Sequence, residues 1–270
     1  MRKNSQTLTT QSIPALIKQL AIPASIGMFF NTMYNVVDTF YAGLISTQAI
    51  SALTLSFMIF FLIIGFGYGF SSAITALLGN ALGKKRYKLA SIYAHKGLVF
   101  VPLIGLTLSI IGYFFAPSLF MFLGAKDEYL QISLDYINPI LFGAIFFMFN
   151  FSLNSILIAT GDTKTYRNSL IFGFFANLAL NPLFMYGFLF VPAMGIKGIA
   201  FATVLIQIIN MFYLFYKVLQ TKLIHFDKLE YFIPNLRIYK LFFTHGIPSS
   251  LNMLTMAIGS LILTYFVSHY

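Results

Sequence analysis

Seven long apolar stretches constrain this 270-residue chain more than any other feature of its sequence. They cover residues 20–44, 49–82, 97–125, 136–161, 168–196, 198–216 and 241–270. Each can supply the roughly 20 residues that a helix needs to cross about 30 Å of hydrocarbon. The short alternating units of a membrane barrel are absent from them. We therefore expect an all-α, polytopic helical membrane protein whose main partner is the lipid bilayer.

The balance of charge agrees with this class. Only 9% of the residues are charged and 59% are hydrophobic, far from the roughly 25% charged residues of a soluble domain. Of the 17 Lys and Arg residues, all but Lys126 and Lys197 lie in alternate loops on the side of the N-terminus. This bias predicts a plasma (inner) membrane protein with a cytoplasmic N-terminus. The net charge of +10 is thereby explained as topology, and no nucleic-acid partner is expected.

A short repeat suggests how the spans are organised. Residues 22–26 read Ile-Pro-Ala-Ser-Ile, and residues 247–251 read Ile-Pro-Ser-Ser-Leu. Six spans separate the two copies, so they have the same orientation, as in a parallel repeat. We expect four parts: a cytoplasmic N-terminal segment (1–19), a six-helix N-lobe (20–216), a cytoplasmic linker (217–240) and the first helix of a truncated C-lobe (241–270). That last helix is expected to lack its packing partners.

Asp38 is the one acidic residue inside these stretches, and Asn31, Tyr34 and Asn35 share its helical face. Interhelical hydrogen bonds, worth about 1 kcal/mol each, would explain the Asn residues. They do not explain a carboxylate in hydrocarbon, which is costly and marks a functional site. We predict a transport role for Asp38, with the other three lining a substrate cavity. Pro23 is either a structural kink or a hinge.

A second polar group lies in the fifth stretch. Asn177 and Asn181 are four residues apart, and Pro182 removes the usual hydrogen-bond donor to the carbonyl of Leu178. Such oxygens can hold Na⁺ or a carboxyl group that gains and loses a proton, but an Asn-stabilised kink is an equal alternative. In the second stretch, Gly65, Gly67 and Gly69 predict close helix packing. No cofactor is expected beyond Na⁺ or H⁺ as coupling ion.

Several motifs, in order along the chain, resemble the MATE (multidrug and toxic compound extrusion) transporters. They are residues 22–43 with Asp38, residues 81–84 (Ala-Leu-Gly-Lys), residues 159–164 (Ala-Thr-Gly-Asp-Thr-Lys), residues 177–182, Gly195, Gly198 and residues 202–203. The resemblance covers the chain as the N-terminal lobe plus the seventh helix of an incomplete MATE-type transporter.

The resemblance implies secondary active multidrug efflux by Na⁺ or H⁺ antiport, with small organic cations or amphipathic drugs as substrates. Asp38 matches the first-helix carboxylate of the family, and Asn154, Asn177 and Thr203 match the polar positions around it. Asn181 departs from one prokaryotic subgroup, which has a second Asp there. The family has twelve spans, so a C-terminal lobe is expected to be missing. The alternatives are a lipid-linked precursor flippase of the same superfamily, or a non-transporting fragment. An enzyme is not expected.

Overall fold

A computed structural model describes residues 11–269, without the side chains of residues 229, 252, 256, 257, 260 and 267–269. The described residues form seven α-helices and one short 3₁₀ turn, Leu229–Tyr231. The helices are α1 (Ile13–Ile45), α2 (Thr47–Gly83), α3 (Tyr87–Phe122), α4 (Asp127–Ala159), α5 (Lys164–Tyr186), α6 (Ile196–Gln220) and α7 (Leu236–His269).

The helices α1 to α6 are each long and apolar enough to cross a membrane. This confirms the predicted multi-pass helical class. Most helices extend past the charge-free stretches, as α3 does by ten residues at its start, because a helix continues into the polar region beyond the hydrocarbon. The fifth stretch is the exception, since α5 ends at Tyr186 and residues 187–195 form a loop. The seventh predicted span corresponds to α7, only part of which is described, and it stays a prediction.

The turns between helices follow from local chemistry. Ser46 separates α1 from α2, and its side chain accepts a hydrogen bond of 3.0 Å from the Ala49 N–H as an N-cap. In the predicted Gly-Asp turn before α5, Gly161 has a φ of 85°. The carboxylate of Asp162 accepts hydrogen bonds from the Thr165 N–H and hydroxyl at 3.0 and 2.6 Å. The turn therefore both reverses the chain and caps α5.

The helices pack in two groups. The helices α1, α5 and α6 contact one another, while α2, α3 and α4 form the second group, with α6 also packed against α4. The larger apolar core is centred on the second group, where it contains the almost fully buried Phe70, Phe120 and Met148, and it extends to α6 at Ile199. A cavity lies between the groups, and the candidate site borders it.

The last helix does not lack a partner, contrary to the expectation from the sequence. Along its described part, α7 packs against α2 and comes close to it at Gly69. A Cβ atom on Gly69 would lie 1.9 Å from Ser250 Oγ and 2.6 Å from the main-chain oxygen of Gly246. A Cβ atom on Gly67 would lie 2.3 Å from the ring of Phe151 on α4. The predicted packing role of these glycines is thus confirmed, and it gives α7 a surface on which to dock.

Candidate functional site

Asp38 lies at the meeting point of α1, α5 and α6 and is only 3% exposed. Its Oδ1 atom accepts hydrogen bonds of 2.8 Å from the side-chain amides of both Asn177 and Asn181. Hydrogen bonds to a charged group contribute about 1.5–3 kcal/mol each. Two of them offset much of the several kcal/mol that it costs to bury one carboxylate. The site therefore accommodates an ionised Asp38 without a basic partner.

The two asparagines reach Asp38 together because they are one helical turn apart on α5. Asn181 also donates to Asn177 Oδ1 at 3.2 Å, which holds the pair in one orientation. Pro182 does free the carbonyl of Leu178, as predicted, but that oxygen accepts a 3.1 Å hydrogen bond from the Tyr41 hydroxyl of α1. The freed carbonyl thus joins α1 to α5 and does not enter the polar cluster.

The second oxygen of Asp38 is much less engaged than the first. Its one hydrogen-bond contact with a described residue comes from the Thr203 hydroxyl of α6, at 3.5 Å, the limit of hydrogen-bond distance. Thr203 in turn accepts a hydrogen bond of 3.0 Å from the Tyr34 hydroxyl. A polar chain therefore runs from Tyr34 through Thr203 to Asp38 Oδ2. This oxygen has free lone pairs with which to hold a cation or a proton.

Buried oxygens without a described hydrogen-bond partner lie in the same region. The side-chain oxygens of Asn150, Asn154 and Asn181 belong to this set. The Asn181 amide group donates hydrogen bonds to Asp38 and to Asn177. Its oxygen has no described partner and is a free acceptor next to Asp38. Unpaired buried acceptors are uncommon in proteins, because such groups usually have a hydrogen-bond or ion partner. Carboxylate and amide oxygens are hard donors that suit a hard cation.

A cavity of about 580 Å³ opens onto this cluster between the two helix groups. Asn31, Tyr34, Asn35, Asp38, Asn154 and Thr203 line it. Its apolar wall is aromatic and includes Phe57, Phe60, Phe61, Tyr68, Tyr136, Phe147 and Phe151. Asp38 is the only charged side chain among the described residues that line the cavity. The cavity therefore combines one negative charge with neutral polar and aromatic surfaces.

The residues predicted from sequence have different positions relative to Asp38. Asn177, Asn181 and Thr203 contact its carboxylate directly, and Tyr34 contacts it through Thr203. Asn154 lines the cavity, but no described hydrogen bond joins it to this carboxylate.

Asn31 and Asn35 also lie at the cavity wall, and the Asn35 amide donates to the main-chain oxygen of Asn31 at 3.0 Å. This hydrogen bond stays within α1. It is therefore not one of the interhelical hydrogen bonds that could have explained the Asn residues of this helix. Pro23 is buried within α1 away from the described cavity lining, and its hinge role stays a prediction.

Sequence reasoning missed four polar residues of this region. Tyr41 caps the α5 kink, and Tyr136, Gln207 and Asn210 line the cavity. Gln207 accepts a hydrogen bond of 2.8 Å from the Asn150 amide and so links α6 to α4. For Tyr136, Gln207 and Asn210, the sequence signal that could have found them was a polar side chain within an otherwise apolar stretch. For Tyr41, the signal was its position three residues after Asp38 on the same helix face.

Comparison with known proteins agrees with this geometry. The family model MatE matches residues 23–183, more than half of the chain. The chain belongs to the MatE family. The matched region contains Asp38, Asn177 and Asn181 but ends before Thr203. Family membership confirms the resemblance inferred from the motifs and the expectation of a transporter class rather than an enzyme.

Individual relatives cover a larger part of the chain. It is 29% identical over 280 residues to the probable multidrug resistance protein YoeA of Bacillus subtilis, matching all of this chain and 60% of YoeA. It is 26% identical over 201 residues to the FAD transporter of Shewanella oneidensis, matching 74% of this chain and 44% of that protein.

Among solved structures, an outward-facing MATE-family multidrug resistance transporter of the MOP superfamily matches with a TM-score of 0.84 and 28% identity. The match covers 95% of this chain and 56% of that transporter. The MatE chain thus spans about half the length of these relatives, from 44% to 60%.

Proposed function

We propose that this MatE chain forms one lobe of an efflux transporter that exports cationic or amphipathic organic compounds by antiport against Na⁺ or H⁺. The observation that supports the proposal is the single carboxylate, Asp38, at the edge of an aromatic cavity. Two unit charges 4 Å apart attract by about 4 kcal/mol at an effective dielectric constant near 20. The flat faces of Phe and Tyr attract cations as well. Both effects favour an organic cation over an anion.

Antiport requires that substrate and ion compete for the same group. In this proposal, Asp38 Oδ2 holds Na⁺ or a proton in one state, and the arriving substrate cation takes over its charge in the next. Asn177 and Asn181 keep Oδ1 hydrogen-bonded in both states, and the Thr203 hydroxyl adjusts to the charge on Oδ2. The ion then leaves as the substrate binds, which couples the two flows.

The alternative substrates are anionic, and the cavity chemistry disfavours them. A lipid-linked pyrophosphate or a dinucleotide, such as the FAD named for the Shewanella relative, needs positive charge in the cavity. No Lys, Arg or His belongs to its described lining. A negative Asp38 would repel a phosphate group. We therefore rank an anion flippase or exporter below a drug exporter.

Two hydrophobic ions of matched shape and opposite charge test whether the site prefers a cationic or an anionic substrate. We expect the purified chain in nanodiscs to bind tetraphenylphosphonium saturably and to bind tetraphenylborate no better than empty nanodiscs. Equilibrium dialysis with empty discs as baseline measures both. Because one charge pair is removed, Asp38→Asn should weaken tetraphenylphosphonium binding at least tenfold. Preferred binding of tetraphenylborate would contradict the proposal and support an anionic substrate.

The second lobe is part of the proposal as well. Alternating access in such transporters moves one helix bundle against another around a central site. The chain matches only 44–60% of each of these relatives, so we infer that the complete transporter needs a second bundle, from further sequence or from another chain. Without it, the chain would bind substrate but not transport it, which is the non-transporting alternative.

The proposed orientation follows from the charge bias, with a cytoplasmic N-terminus in a plasma membrane. Single cysteines at Lys126 and Lys222 test it, because the chain has no cysteine of its own. In intact cells, a membrane-impermeant maleimide should label position 126 and should label position 222 only after permeabilisation. Labelling of both positions from outside would contradict the topology. Expression of each variant is checked with a permeant maleimide.

A further inference from the structure

A second cavity, separate from the Asp38 site, lies at the opposite end of the helix bundle from the α3–α4 turn. It measures about 670 Å³ and is bordered by the start of α3, the turn before α5, the end of α6 and the segment 221–235. Four lysines line it: Lys88, Lys217, Lys222 and Lys228. We call this the basic pocket. The helices α2 and α6 border both this pocket and the Asp38 cavity, but no lining residue belongs to both.

The charge in the basic pocket is not balanced by its own residues. One carboxylate, that of Asp162, borders it, and this group already accepts the hydrogen bonds that cap α5. Among the described residues, none of the four lysines forms an ion pair. Lys217 and Lys228 lie over the rings of Tyr213 and Tyr231, with the ammonium 5.9 and 5.5 Å from the ring centres. Three positive charges therefore remain in excess around one concave surface.

The wall of the pocket is held in place by buried contacts. Ser91 on α3 donates a 2.7 Å hydrogen bond to the main-chain oxygen of Leu223. His95, also on α3, accepts a 3.0 Å hydrogen bond from the His225 N–H at Nε2, and its Nδ1 lies 2.7 Å from the oxygen of Ser91. The buried Lys96 donates to the main-chain oxygens of Glu230 and Ile233. The segment 221–235 is thus fastened to α3 and presents its lysines from a fixed surface.

Positive-inside topology explains why these lysines lie at this end of the bundle, but not why four of them surround one cavity. Unpaired ammonium groups that converge on a concave, partly polar surface attract a compact, multiply charged anion. Phosphate groups have this chemistry, and basic pockets between helices at a membrane surface bind phosphorylated head groups. The hydroxyl group of Tyr87 at the same wall can donate a further hydrogen bond.

We propose that the basic pocket is a binding site for a phosphate-bearing anion. The phosphate would lie between Lys217 of α6 and Lys228 of the segment 221–235, and so link these two parts of the pocket wall through one ligand. The ligand would come either from a phospholipid head group or from a soluble phosphate compound. The two sources are distinguished by the two arms of the test.

The test compares two pairs of lysines at the same end of the molecule. Lys217→Gln with Lys228→Gln removes two charges from the pocket, while Lys84→Gln with Lys85→Gln removes two exposed charges from the neighbouring turn, outside the pocket lining. In one arm, inorganic pyrophosphate is titrated calorimetrically into the full chain in a neutral detergent. In the other, native mass spectrometry measures cardiolipin retained by the chain after extraction from vesicles of phosphatidylcholine with 10% cardiolipin, about one lipid in ten.

We expect at least a tenfold loss of affinity in one arm for the pocket pair. We expect less than a twofold change for the turn pair, because Lys84 and Lys85 lie outside the pocket lining. Loss in the pyrophosphate arm identifies a soluble ligand, and loss in the cardiolipin arm alone identifies a lipid head group. Lys217→Arg with Lys228→Arg should keep binding, because this variant retains both positive charges. Equal losses for both Gln pairs, or no binding in either arm, would overturn the proposal.

Discussion

Asp38→Asn is expected to abolish ion-coupled efflux while leaving the chain folded. The substitution keeps the size of the side chain and an oxygen for Asn177 and Asn181, which now donate at 2.8 Å to the carboxylate. It removes the only charge on the described cavity lining. In the proposed antiport, neither Na⁺ nor a proton would then compete with the substrate, so the coupling between the two flows would be lost. A fall of at least a hundredfold in coupled efflux, about 2.8 kcal/mol, is expected.

The measurement uses the chain joined to the second lobe of a relative such as YoeA, with efflux of an organic cation followed in vesicles under a Na⁺ or a pH gradient. Asp135→Asn is the matched control. Asp135 lies on α4 outside the cavity lining and pairs with Lys197 at 3.1 Å. It should export at the unsubstituted rate. An Asp38→Asn transporter with unchanged rate and unchanged ion dependence would show that Asp38 is a packing residue.

Moving the carboxylate from α1 to α5 tests whether ion binding depends on its position or only on its charge. In Asp38→Asn combined with Asn181→Asp, the carboxylate moves to α5, within hydrogen-bond distance of its former place. We expect Na⁺ binding to the purified chain, measured with radioactive sodium, to recover in part relative to Asp38→Asn alone. Absence of any recovery would mean that the ion requires the carboxylate on α1.

Gly69→Ala is expected to separate α7 from α2. The new Cβ atom would lie 1.9 Å from Ser250 Oγ, 2.6 Å from the Gly246 oxygen and 2.7 Å from the Ser250 nitrogen. Two of these three atoms belong to the main chain, so no change of rotamer relieves the overlap and the helices must move apart. Overpacking of this kind costs about 1–3 kcal/mol or more. We expect the melting temperature in detergent to fall by about 5 °C or more.

Gly79→Ala is the control in the same helix, because a Cβ atom there would meet no atom within 4 Å. It should leave the melting temperature unchanged or raise it slightly, since Ala favours a helix more than Gly does. Adding Ser250→Gly to Gly69→Ala should restore little stability, because the overlap with the main chain remains. Full restoration would show that only the Ser250 hydroxyl, and not the helix approach, limits residue 69.

Much of the site could be predicted because burial in hydrocarbon makes polar residues conspicuous. Asp38 interrupts a stretch that is otherwise free of charge, and the spacing of Asn177 and Asn181 puts both amides on one face of α5. The helical class followed from the length of the apolar stretches alone. These features depend on local spacing and on the cost of polar groups in lipid, which act before any tertiary contact forms.

Contacts between helices could not be predicted in the same way, because one sequence does not specify which faces meet. The sequence predicts the Leu178 carbonyl as a candidate ion ligand, but in the structure it accepts a hydrogen bond from Tyr41 of another helix. Asn154 lines the cavity without a described bond to Asp38, and α7 docks on the glycines of α2 instead of lacking a partner. The basic pocket depends on the fold of the segment 221–235 against α3. Composition and periodicity thus gave the helices and the buried carboxylate, while packing decided which oxygens surround that carboxylate and where the unpaired lysines converge.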